Sequence, residues 1–310
     1  MKKVLVTGAA GSIGLYLIKY LLSEGKYEIT ALDLKNKSVY KRLHSYRHRI
    51  NIVYGDVLDR NLLEPLIKEN DIVVHLVTCL PPLAEYKKEL VNIIDYSSTE
   101  NIVRAINYYN PECHLIYASS TSLYSKESTD INEKLSIDET RYFDSAKYAS
   151  EKIICKKLKH YTIVRVPLIL SDLRKDPFIY NIKNNEMVEV ITKEDAGYAF
   201  CACADKLDKL NKQVINIGGV QSCRCKYSEL VGNILKYHGV SLKFVLTRIF
   251  GEKNYTSPIL KDSDDSNKLL NYRNDSLQSY LMRQKRRSRA RKTQILIGKL
   301  LLVFYKDKVK

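Results

Sequence analysis

Short apolar runs alternate with amphipathic stretches along the first 170 residues of the chain. Residues 2–8, KKVLVTG, form a β-branched run that ends at a glycine, and residues 12–25 then carry apolar side chains at helical spacing. The alternation continues, with strands predicted at 27–34, 50–56, 71–77, 114–120 and 161–170 and helices predicted at 61–69, 89–109 and 141–158. Because the strands are apolar throughout and helices lie between them, the pattern predicts an α/β fold with a doubly wound parallel sheet covered on both faces.

The alternation loosens after about residue 170. A further strand is predicted at 214–219, a helix that ends at a glycine at 226–239, and a loop that leads into a short helix at 257–272. No internal repeat or low-complexity linker is found in the sequence. We therefore expect a main domain over 1–170, a smaller irregular lobe over 171–280 whose parts interleave with it, and a C-terminal tail over 281–310.

Composition narrows the class of protein. The 310 residues include 45% hydrophobic and 28% charged side chains, which is ordinary for a globular protein. The seven cysteines are scattered through a chain that is too long to need disulfides, so we expect reduced thiols and a cytoplasmic protein. We expect no signal peptide in the opening residues, because glycines break their apolar run and no cleavage-like stretch follows.

The basic charge is concentrated in the tail. Residues 281–310 hold eleven Lys/Arg and one acid, so +10 of the formal +16 lies there, and no motif that reads nucleic acid accompanies it. We therefore expect no nucleic-acid partner. A basic cluster at 283–292 precedes an apolar run at 295–305, which is too short to span a bilayer. Two interpretations stay open: peripheral contact with anionic lipid at the inner face of the membrane, or a helix packed on the core or on a partner subunit.

A glycine-rich loop joins the first strand to the first helix. Gly8, Gly11 and Gly14 permit a tight turn, a close approach of backbone amides to a pyrophosphate, and close packing of helix on strand. The next strand ends at Asp33, about 20 residues beyond the loop, where a carboxylate can accept hydrogen bonds from an adenosine ribose. The combination predicts a Rossmann-type dinucleotide site that favours NAD over NADP, although Lys35 could serve a 2′-phosphate.

The motifs resemble those of the extended short-chain dehydrogenase/reductase family, specifically its NAD-dependent epimerase/dehydratase branch. The resemblance covers most of the chain, and several segments carry it: the T-G-x-x-G-x-x-G loop, Gly55-Asp56-Val57 after the third strand, DIVVHL at 71–76, Ser98–Asn101 in the following helix, and ASSTSLY at 118–124. Val77-Thr78 replaces the usual pair of alanines, and Ser98 replaces a glycine. Late in the chain, INIGG and DSDDSNKLLNY are similar to segments of the family's substrate lobe.

The resemblance implies a cofactor, a substrate class and a set of site residues. It implies NAD, with NADP less favoured, a nucleotide-sugar substrate and a homodimer. Ser120, at the end of the fifth strand, would hydrogen-bond the reacting oxygen, and Thr121-Ser122 after it replaces the acidic pair of dehydratases. The implied cofactor-binding residues are Gly8, Gly11, Ser12, Ile13, Gly14, Asp33, Asp56, Val57, Leu76 and Lys147.

Two lysines compete for the family's catalytic position. The family's helix follows the pattern Y-x-x-S-K-x-x-x-E, and Lys147 fits it because Glu151 lies four residues later. This register places Phe143 where the catalytic tyrosine stands in the family. Tyr148 and Lys152 also have the four-residue tyrosine–lysine spacing, but Lys152 is not followed by the acid.

Helix geometry favours Lys147. At about 100° per residue, Phe143 and Lys147 lie on one side of the helix with Ile154 and Leu158, whereas Tyr148 lies about 140° away from Phe143. Tyr148 shares its side with a stripe of lysines, which is typical of a solvated face, so the apolar side is expected to face the sheet and the cofactor.

The site therefore lacks its usual proton carrier. Tyr142 could replace it if the helix begins just after that residue, another loop or the substrate could supply the proton route, or the protein binds nucleotide without turnover. We take Ser120, Lys147 and Tyr142 as candidate catalytic residues. The predicted function is an NAD-dependent nucleotide-sugar epimerase or reductase with Phe143 at the tyrosine position; the alternative is a pseudoenzyme or scaffold, at a membrane surface in one version.

Two other features have several interpretations. Cys201/Cys203 and Cys223/Cys225 form C-x-C pairs, but neither has the C-x-x-C spacing of a zinc site, and we predict buried thiols and no metal. Arg165, at the end of the sixth strand, could hold a loop carbonyl or a substrate phosphate.

Overall fold

A parallel sheet of seven strands forms the centre of the computed structural model, which describes residues 1–80, 84, 87–124, 141–170, 182, 183, 185–237 and 257–289. The strands are β1 (Lys2–Thr7), β2 (Tyr27–Asp33), β3 (Asn51–Tyr54), β4 (Ile72–His75), β5 (His114–Ser120), β6 (Tyr161–Val166) and β9 (Gln213–Asn216). Their order in the sheet is β3-β2-β1-β4-β5-β6-β9, and all pairs are parallel. The strand order reverses between β1 and β4, which makes this the doubly wound α/β fold that the sequence predicts.

Helices cover both faces of this sheet. On one face lie α1 (Ser12–Glu24) and α7 (Lys193–Asp205), which cross closely because Gly197 has no side chain: a Cβ there would lie 2.4 Å from the Cβ of Tyr16. The other face carries α3 (Arg60–Lys68), α5 (Ser98–Tyr109) and α6 (Tyr142–Lys157), whose apolar sides pack on the strands. Strands buried on both faces explain why the sequence shows continuous apolar runs.

Two helical features differ from the pattern in the sequence. The segment predicted as one helix at 89–109 begins as α4 (Lys88–Val91), passes through a π-helical turn at Asn92–Ser97, and continues as α5. A short helix, α2 (Lys37–Leu43), follows β2 where no helix was predicted; Asn36 caps it by accepting hydrogen bonds from two backbone N–H groups.

A second, three-stranded sheet lies at the carboxyl side of the main sheet. It pairs β7 (Leu168–Leu170), β8 (Met187–Thr192) and β10 (Arg224–Lys226) in the order β10-β8-β7. The helices α9 (Tyr227–Tyr237) and α11 (Leu277–Arg289) share an apolar core with this sheet, while α8 (Leu207–Leu210) precedes β9 and α10 (Ser263–Leu270) packs near it. The two sheets interleave along the chain, because β7 lies in the second sheet and β9 in the main one; the division into a main domain over 1–170 and a smaller lobe over 171–280 stays a prediction.

The tail is only partly described. Helix α11 includes the beginning of the basic cluster, and residues 290–310, with the apolar run at 295–305, lie outside the described residues. None of the helices in the described ranges combines the length and apolar character needed to cross a bilayer.

Candidate active site

A cavity of about 670 Å³ opens at the carboxyl ends of β1, β4 and β5, where the strand order reverses. This is where open α/β sheets bind their ligands, because the loops at that edge diverge and leave a crevice. One half of the cavity is lined by the glycine loop, Asp33 and the turn after β3. The opposite half is lined by the ends of β4 and β5 and by one side of α6.

The glycine loop has a backbone shape that side chains would block. Gly8 has φ +71°, a left-handed conformation that favours glycine. A Cβ on Gly14 would lie 2.7 Å from the carbonyl oxygen of Gly8, so only glycine permits this contact between helix and turn. Gly11 is the N-cap of α1 and offers no side-chain hydrogen bond, which leaves the first N–H groups of the helix free for an anion. Ser12 and Ile13 begin the helix and also line the cavity.

Asp33 lies beside this loop and is held by it. One of its carboxylate oxygens accepts a hydrogen bond from the backbone N–H of Ala10 at 2.8 Å, and the other accepts one from Leu34 at 2.8 Å. Each carboxylate oxygen can accept more than one bond, so capacity for ribose hydroxyls remains. Lys35 is exposed and does not line the cavity, whereas Arg42 of α2 does, and it donates to the carbonyl oxygen of Ala10 at 2.9 Å.

The remaining predicted cofactor residues lie around the same cavity. Asp56 and Val57 line it after β3, and Leu76 lines it after β4. The Asp56 carboxylate accepts a hydrogen bond from the N–H of Leu58 at 3.0 Å, which fixes its turn. A glycine cradle, an uncapped helix N-terminus and a carboxylate at the end of β2 together fit an adenine dinucleotide.

Lys147 is buried on the opposite side of the cavity with a carboxylate partner. Its ammonium lies 3.2 Å from Asp95 Oδ1 and donates to the carbonyl oxygen of Ala118 at 2.9 Å. Asp95, in the π-helical turn, also accepts hydrogen bonds from the Thr78 hydroxyl at 2.6 Å and the Cys79 N–H at 2.9 Å. Burial alone would lower the pKa of Lys147, but its interactions with Tyr117 and with the Asp95 carboxylate outweigh this effect, so the pKa of Lys147 is raised and the ammonium stays charged.

Sequence patterns gave no indication of Asp95. The carboxylate reaches Lys147 because the π turn widens the helix at that point, and π turns are frequent at functional sites. The two residues are 52 positions apart, so no local spacing reveals the ion pair.

Phe143 occupies the wall one helical turn before Lys147. It is buried, lines the cavity, and its ring centre lies 5.9 Å from the Lys147 ammonium. Tyr148 and Lys152 contact each other instead, with the ammonium 4.2 Å from the ring centre, and neither lines the cavity. The helical register therefore brings Phe143, not Tyr148, to the cavity together with Lys147.

Tyr142 is the first residue of α6 and does not line the cavity. Its ring packs among apolar side chains and lies 5.5 Å from the Lys88 ammonium. The structure thus brings together two of the three candidate catalytic residues, Ser120 and Lys147, and places the third to one side.

Ser120 ends β5 and faces the cavity within a short hydrogen-bonded chain. Its hydroxyl lies 2.7 Å from the hydroxyl of Ser122, which donates to the carboxylate of Asp144 at 2.5 Å. Asp144 is 1% exposed and forms an ion pair with Arg141 at 2.6 Å. Neither Ser122 nor Asp144 was among the predicted site residues, because their importance depends on a contact between a turn and a helix that no motif records.

Arg165 and Glu151 form a third ion pair, which is buried away from the cavity. The Arg165 guanidinium binds the Glu151 carboxylate at 2.6 and 2.9 Å and also donates to the Tyr124 hydroxyl at 2.8 Å. Ser119 donates to the same carboxylate at 2.5 Å. Arg165 therefore links β6 to α6 and β5 through Glu151, and within the described ranges it donates to no loop carbonyl; a substrate phosphate as its partner stays a prediction.

The cysteine pairs are buried or half-buried thiols. Cys201 and Cys203 are buried in α7, and burial raises the pKa of the Cys201 thiol to about 12. In the described part of the chain, no group of three His, Cys, Asp or Glu side chains is arranged to hold a metal ion.

Comparisons with known proteins agree with this fold. The UDP-glucuronic acid 4-epimerase from Bacillus cereus, solved with UDP-glucuronic acid and NAD, superposes with a TM-score of 0.75 at 19% identity and covers 93% of this chain and 99% of that one. A tyrosine-to-phenylalanine mutant of that enzyme, solved with UDP-4-deoxy-4-fluoro-glucuronic acid and NAD, gives a TM-score of 0.77 at 20% identity and covers 93% of this chain and 99% of that one.

Curated relatives are similar over a shorter length. The UDP-N-acetyl-alpha-D-glucosaminuronate decarboxylase of Bacillus cytotoxicus is 28% identical over 159 residues, which are 51% of this chain and 48% of the relative. The CDP-paratose 2-epimerase of Salmonella typhi is 30% identical over 146 residues, 45% of this chain and 42% of the relative. The matched region spans about half the length of these relatives. The profile of the NAD dependent epimerase/dehydratase family matches residues 4–218, and the chain belongs to this family.

Proposed function

We propose that this chain binds NAD in the cavity at the carboxyl ends of β1, β4 and β5 and acts as an epimerase or reductase on a nucleotide sugar. The observation that carries the proposal is the convergence of Ser120 and the charged Lys147 on a cavity that also contains the glycine cradle. A cofactor cradle alone would support binding only. A serine hydroxyl and a buried ammonium placed opposite it supply polar groups for a reacting sugar oxygen and for the cofactor ribose.

The roles of the residues follow from their positions. When bound, NAD accepts a hydride from a sugar carbon or returns one to it. The N–H groups at the start of α1 would hold the pyrophosphate, and Asp33 would accept hydrogen bonds from the adenosine ribose. Ser120 would hydrogen-bond the hydroxyl or carbonyl oxygen at the reacting carbon, and Lys147 would hold the nicotinamide ribose through its ammonium.

The substrate class rests on the relatives. The two curated relatives and the solved structures described above act on UDP- or CDP-linked sugars according to their names, and the solved enzyme carries NAD. The likeness to solved structures is below 25% identity, so the sugar itself is part of the proposal.

A pseudoenzyme is the second candidate, and one observation favours it. Phe143 offers no hydroxyl at the cavity wall, and a lost acid/base group typically lowers a rate by about 10²–10⁴-fold. If no other group moves the proton, the chain would bind NAD and a nucleotide without turning the sugar over.

A panel of nucleotide sugars distinguishes the two candidates. The purified protein is loaded with NAD and incubated with UDP-, GDP-, dTDP- and CDP-linked sugars, and products are separated by chromatography. Turnover that is lost in Ser120→Ala and largely unchanged in Phe143→Tyr supports the enzyme. Binding of NAD by calorimetry with no product from any sugar supports the pseudoenzyme. Absence of NAD binding contradicts both.

Cytoplasmic localisation, the homodimer and the membrane contact of the tail stay predictions. They can be checked by cell fractionation, by size-exclusion chromatography with light scattering, and by flotation with anionic and neutral vesicles. We propose that the protein is found in the cytoplasm, because its cysteines in the described residues are free thiols.

A further inference from the structure

The serine pair at the end of β5 leads from the cavity to a buried carboxylate. Ser120 and Ser122 both line the cavity, and their hydroxyl oxygens are 2.7 Å apart. Ser122 then donates to Asp144 Oδ1 at 2.5 Å, a short bond of the kind that hydroxyls make to carboxylates. Asp144 itself does not line the cavity and is 1% exposed. The hydroxyl groups of Ser120 and Ser122 would therefore connect a substrate oxygen in the cavity to the buried Asp144 carboxylate.

The direction of these hydrogen bonds is fixed by chemistry. A carboxylate can only accept, so the Ser122 proton is committed to Asp144. Ser122 has no second proton, so the proton between the two serines belongs to Ser120, which donates to Ser122. Ser120 Oγ also accepts a hydrogen bond from the N–H of Ser122 at 3.1 Å, and one lone pair remains. That lone pair is free to accept a proton from a hydroxyl in the cavity.

The described residues place one cation and one hydroxyl beside the carboxylate at the end of these hydrogen bonds. Arg141, the N-cap of α6, faces Asp144 at 2.6 Å, and the turn after β5 faces it with the neutral Ser122. The π turn that packs on α6 carries Asp95, but that carboxylate is directed to Lys147. The two buried carboxylates thus have separate cations, and the ion pair of Lys147 is not part of the serine chain.

We propose that Ser120, Ser122 and Asp144 form a proton relay that replaces the phenol missing at Phe143. The inference rests on the proposed function. When a sugar hydroxyl is oxidised, the C–H bond of the carbon that carries it breaks, the hydride goes to the oxidised nicotinamide, and the C–O bond becomes a carbonyl. The hydroxyl proton passes to Ser120 Oγ, the Ser120 proton passes to Ser122 Oγ, and the Ser122 proton passes to Asp144, which becomes a neutral carboxylic acid. The return reaction reverses each transfer.

Ser122 is the residue to test first, because its removal leaves the ion pair of Asp144 and Arg141 in place. Ser122→Ala breaks the relay, Ser122→Thr keeps the hydroxyl, and Ser145→Ala removes a hydroxyl from the same helix turn as Asp144 without touching the cavity. We expect kcat for the active nucleotide sugar to fall about 10²-fold in Ser122→Ala. Ser122→Thr should stay within about threefold of the wild type, and Ser145→Ala should be unchanged.

The pH profile separates a relay from a structural role. In the wild type, kcat/KM should fall at acid pH as Asp144 takes up a proton, and this acid limb should be absent in Ser122→Ala and Asp144→Asn. A merely structural Ser122 would lower the rate equally at every pH and leave the limb in place, which would overturn the proposal.

A measurement without cofactor or substrate tests the hydrogen bond between Ser122 and Asp144. The Asp144 carboxyl signal is followed by carbon-13 NMR in protein labelled at aspartate, and is assigned by its loss in Asp144→Asn. Because a hydroxyl donor favours the charged carboxylate, its removal in Ser122→Ala should move the Asp144 titration to higher pH, and Ser122→Thr should restore it. An unmoved titration overturns the relay.

Absence of turnover with every sugar overturns the relay together with the proposed function, whereas turnover abolished by Ser120→Ala and unaffected by Ser122→Ala overturns the relay alone.

Discussion

The two halves of the cavity differ in whether backbone or side-chain groups form them. The cofactor half consists mainly of backbone: a glycine turn with Gly8 at φ +71°, the uncapped start of α1, and one carboxylate held by backbone N–H groups. The catalytic half consists of side chains from separate elements, with Ser120 from β5, and with Phe143 and Lys147 from α6, of which Lys147 is paired with Asp95 behind the cavity wall. Because a backbone cradle tolerates few substitutions, its sequence pattern is kept. In a cluster of side chains, one group can be replaced while a neighbouring group takes over its role.

The largest effect on ligand binding is expected in the cofactor half. In Gly14→Ala the new Cβ would lie 2.6 Å from the carbonyl oxygen of Ala9 and 2.7 Å from that of Gly8, so the helix must move away from the turn. We expect the NAD affinity to fall at least about 100-fold, measured by calorimetry, since about 2.7 kcal/mol of binding free energy would be lost. Gly25→Asn is the control, because Gly25 has φ +67° with no atom within 4 Å of its Cβ and asparagine tolerates that conformation. Unchanged binding by Gly14→Ala would show that the cradle is not the pyrophosphate site.

The ion pair in the catalytic half should dominate stability there. Lys147→Met leaves the buried Asp95 carboxylate without its cation, and we expect the free energy of unfolding in urea to fall by about 3 kcal/mol. Asp95→Asn combined with Lys147→Met should recover most of this loss, because no buried charge remains. Lys152→Met, on the exposed side of the same helix, should change stability by less than about 0.5 kcal/mol. Equal losses in the single and double variants would mean that the pair does not couple.

His75 lies between β1 and α5, and its buried ring makes the stability of the fold depend on pH. Its ring bonds to Thr7 Oγ1 at 2.7 Å and to Ser98 Oγ at 3.3 Å, and burial together with the Lys147 charge lowers the pKa of His75 to about 3. Between about pH 6.5 and 3 the unfolded chain binds this proton and the folded chain does not, so stability should fall as pH falls, by up to about 1.4 kcal/mol per pH unit. In His75→Gln, the free energy of unfolding from urea titrations over the same pH range should fall less steeply as pH falls, by that amount per pH unit. If the substitution leaves the pH dependence of the unfolding free energy unchanged, a group other than His75 causes the loss of stability.

The smallest effect concerns the missing phenol. A phenol at position 143 needs the Lys147 charge to lower its pKa, and Asp95 at 3.2 Å neutralises much of that charge. Phe143→Tyr alone should therefore leave kcat within about threefold of the wild type, whereas Phe143→Tyr with Asp95→Asn should raise it about tenfold. Steady-state rates with the active nucleotide sugar decide this. A tenfold gain from Phe143→Tyr alone would show that Asp95 does not restrain Lys147.

Sequence patterns predicted what depends on local spacing. The glycine loop, Asp33 and the α/β alternation follow from short-range regularities, and the 100°-per-residue geometry of a helix predicted that Phe143 and Lys147 lie on a different side of the helix from Tyr148 and Lys152. The family assignment from these motifs is confirmed by the match over residues 4–218.

The remaining parts of the site depend on contacts between distant elements. Arg42 lines the cavity in place of Lys35 because Asn36 starts an unpredicted helix that turns the chain back. Asp95 reaches Lys147 through a π turn, which side-chain periodicity does not reveal. Asp144 matters only because the turn after β5 presents Ser122 to it, and nothing in the spacing of the two residues predicts that contact.

The most direct test of the account is the transient reduction of bound NAD. Protein loaded with NAD is mixed in a stopped-flow instrument with each nucleotide sugar, and the absorbance of reduced nicotinamide is recorded for the wild type and for Ser120→Ala. We predict that at least one sugar produces reduced nicotinamide in the wild type and that Ser120→Ala abolishes the signal. Tight binding of NAD without any reduced nicotinamide, from every sugar in the panel, would contradict the claim that this site transfers hydride with phenylalanine at position 143.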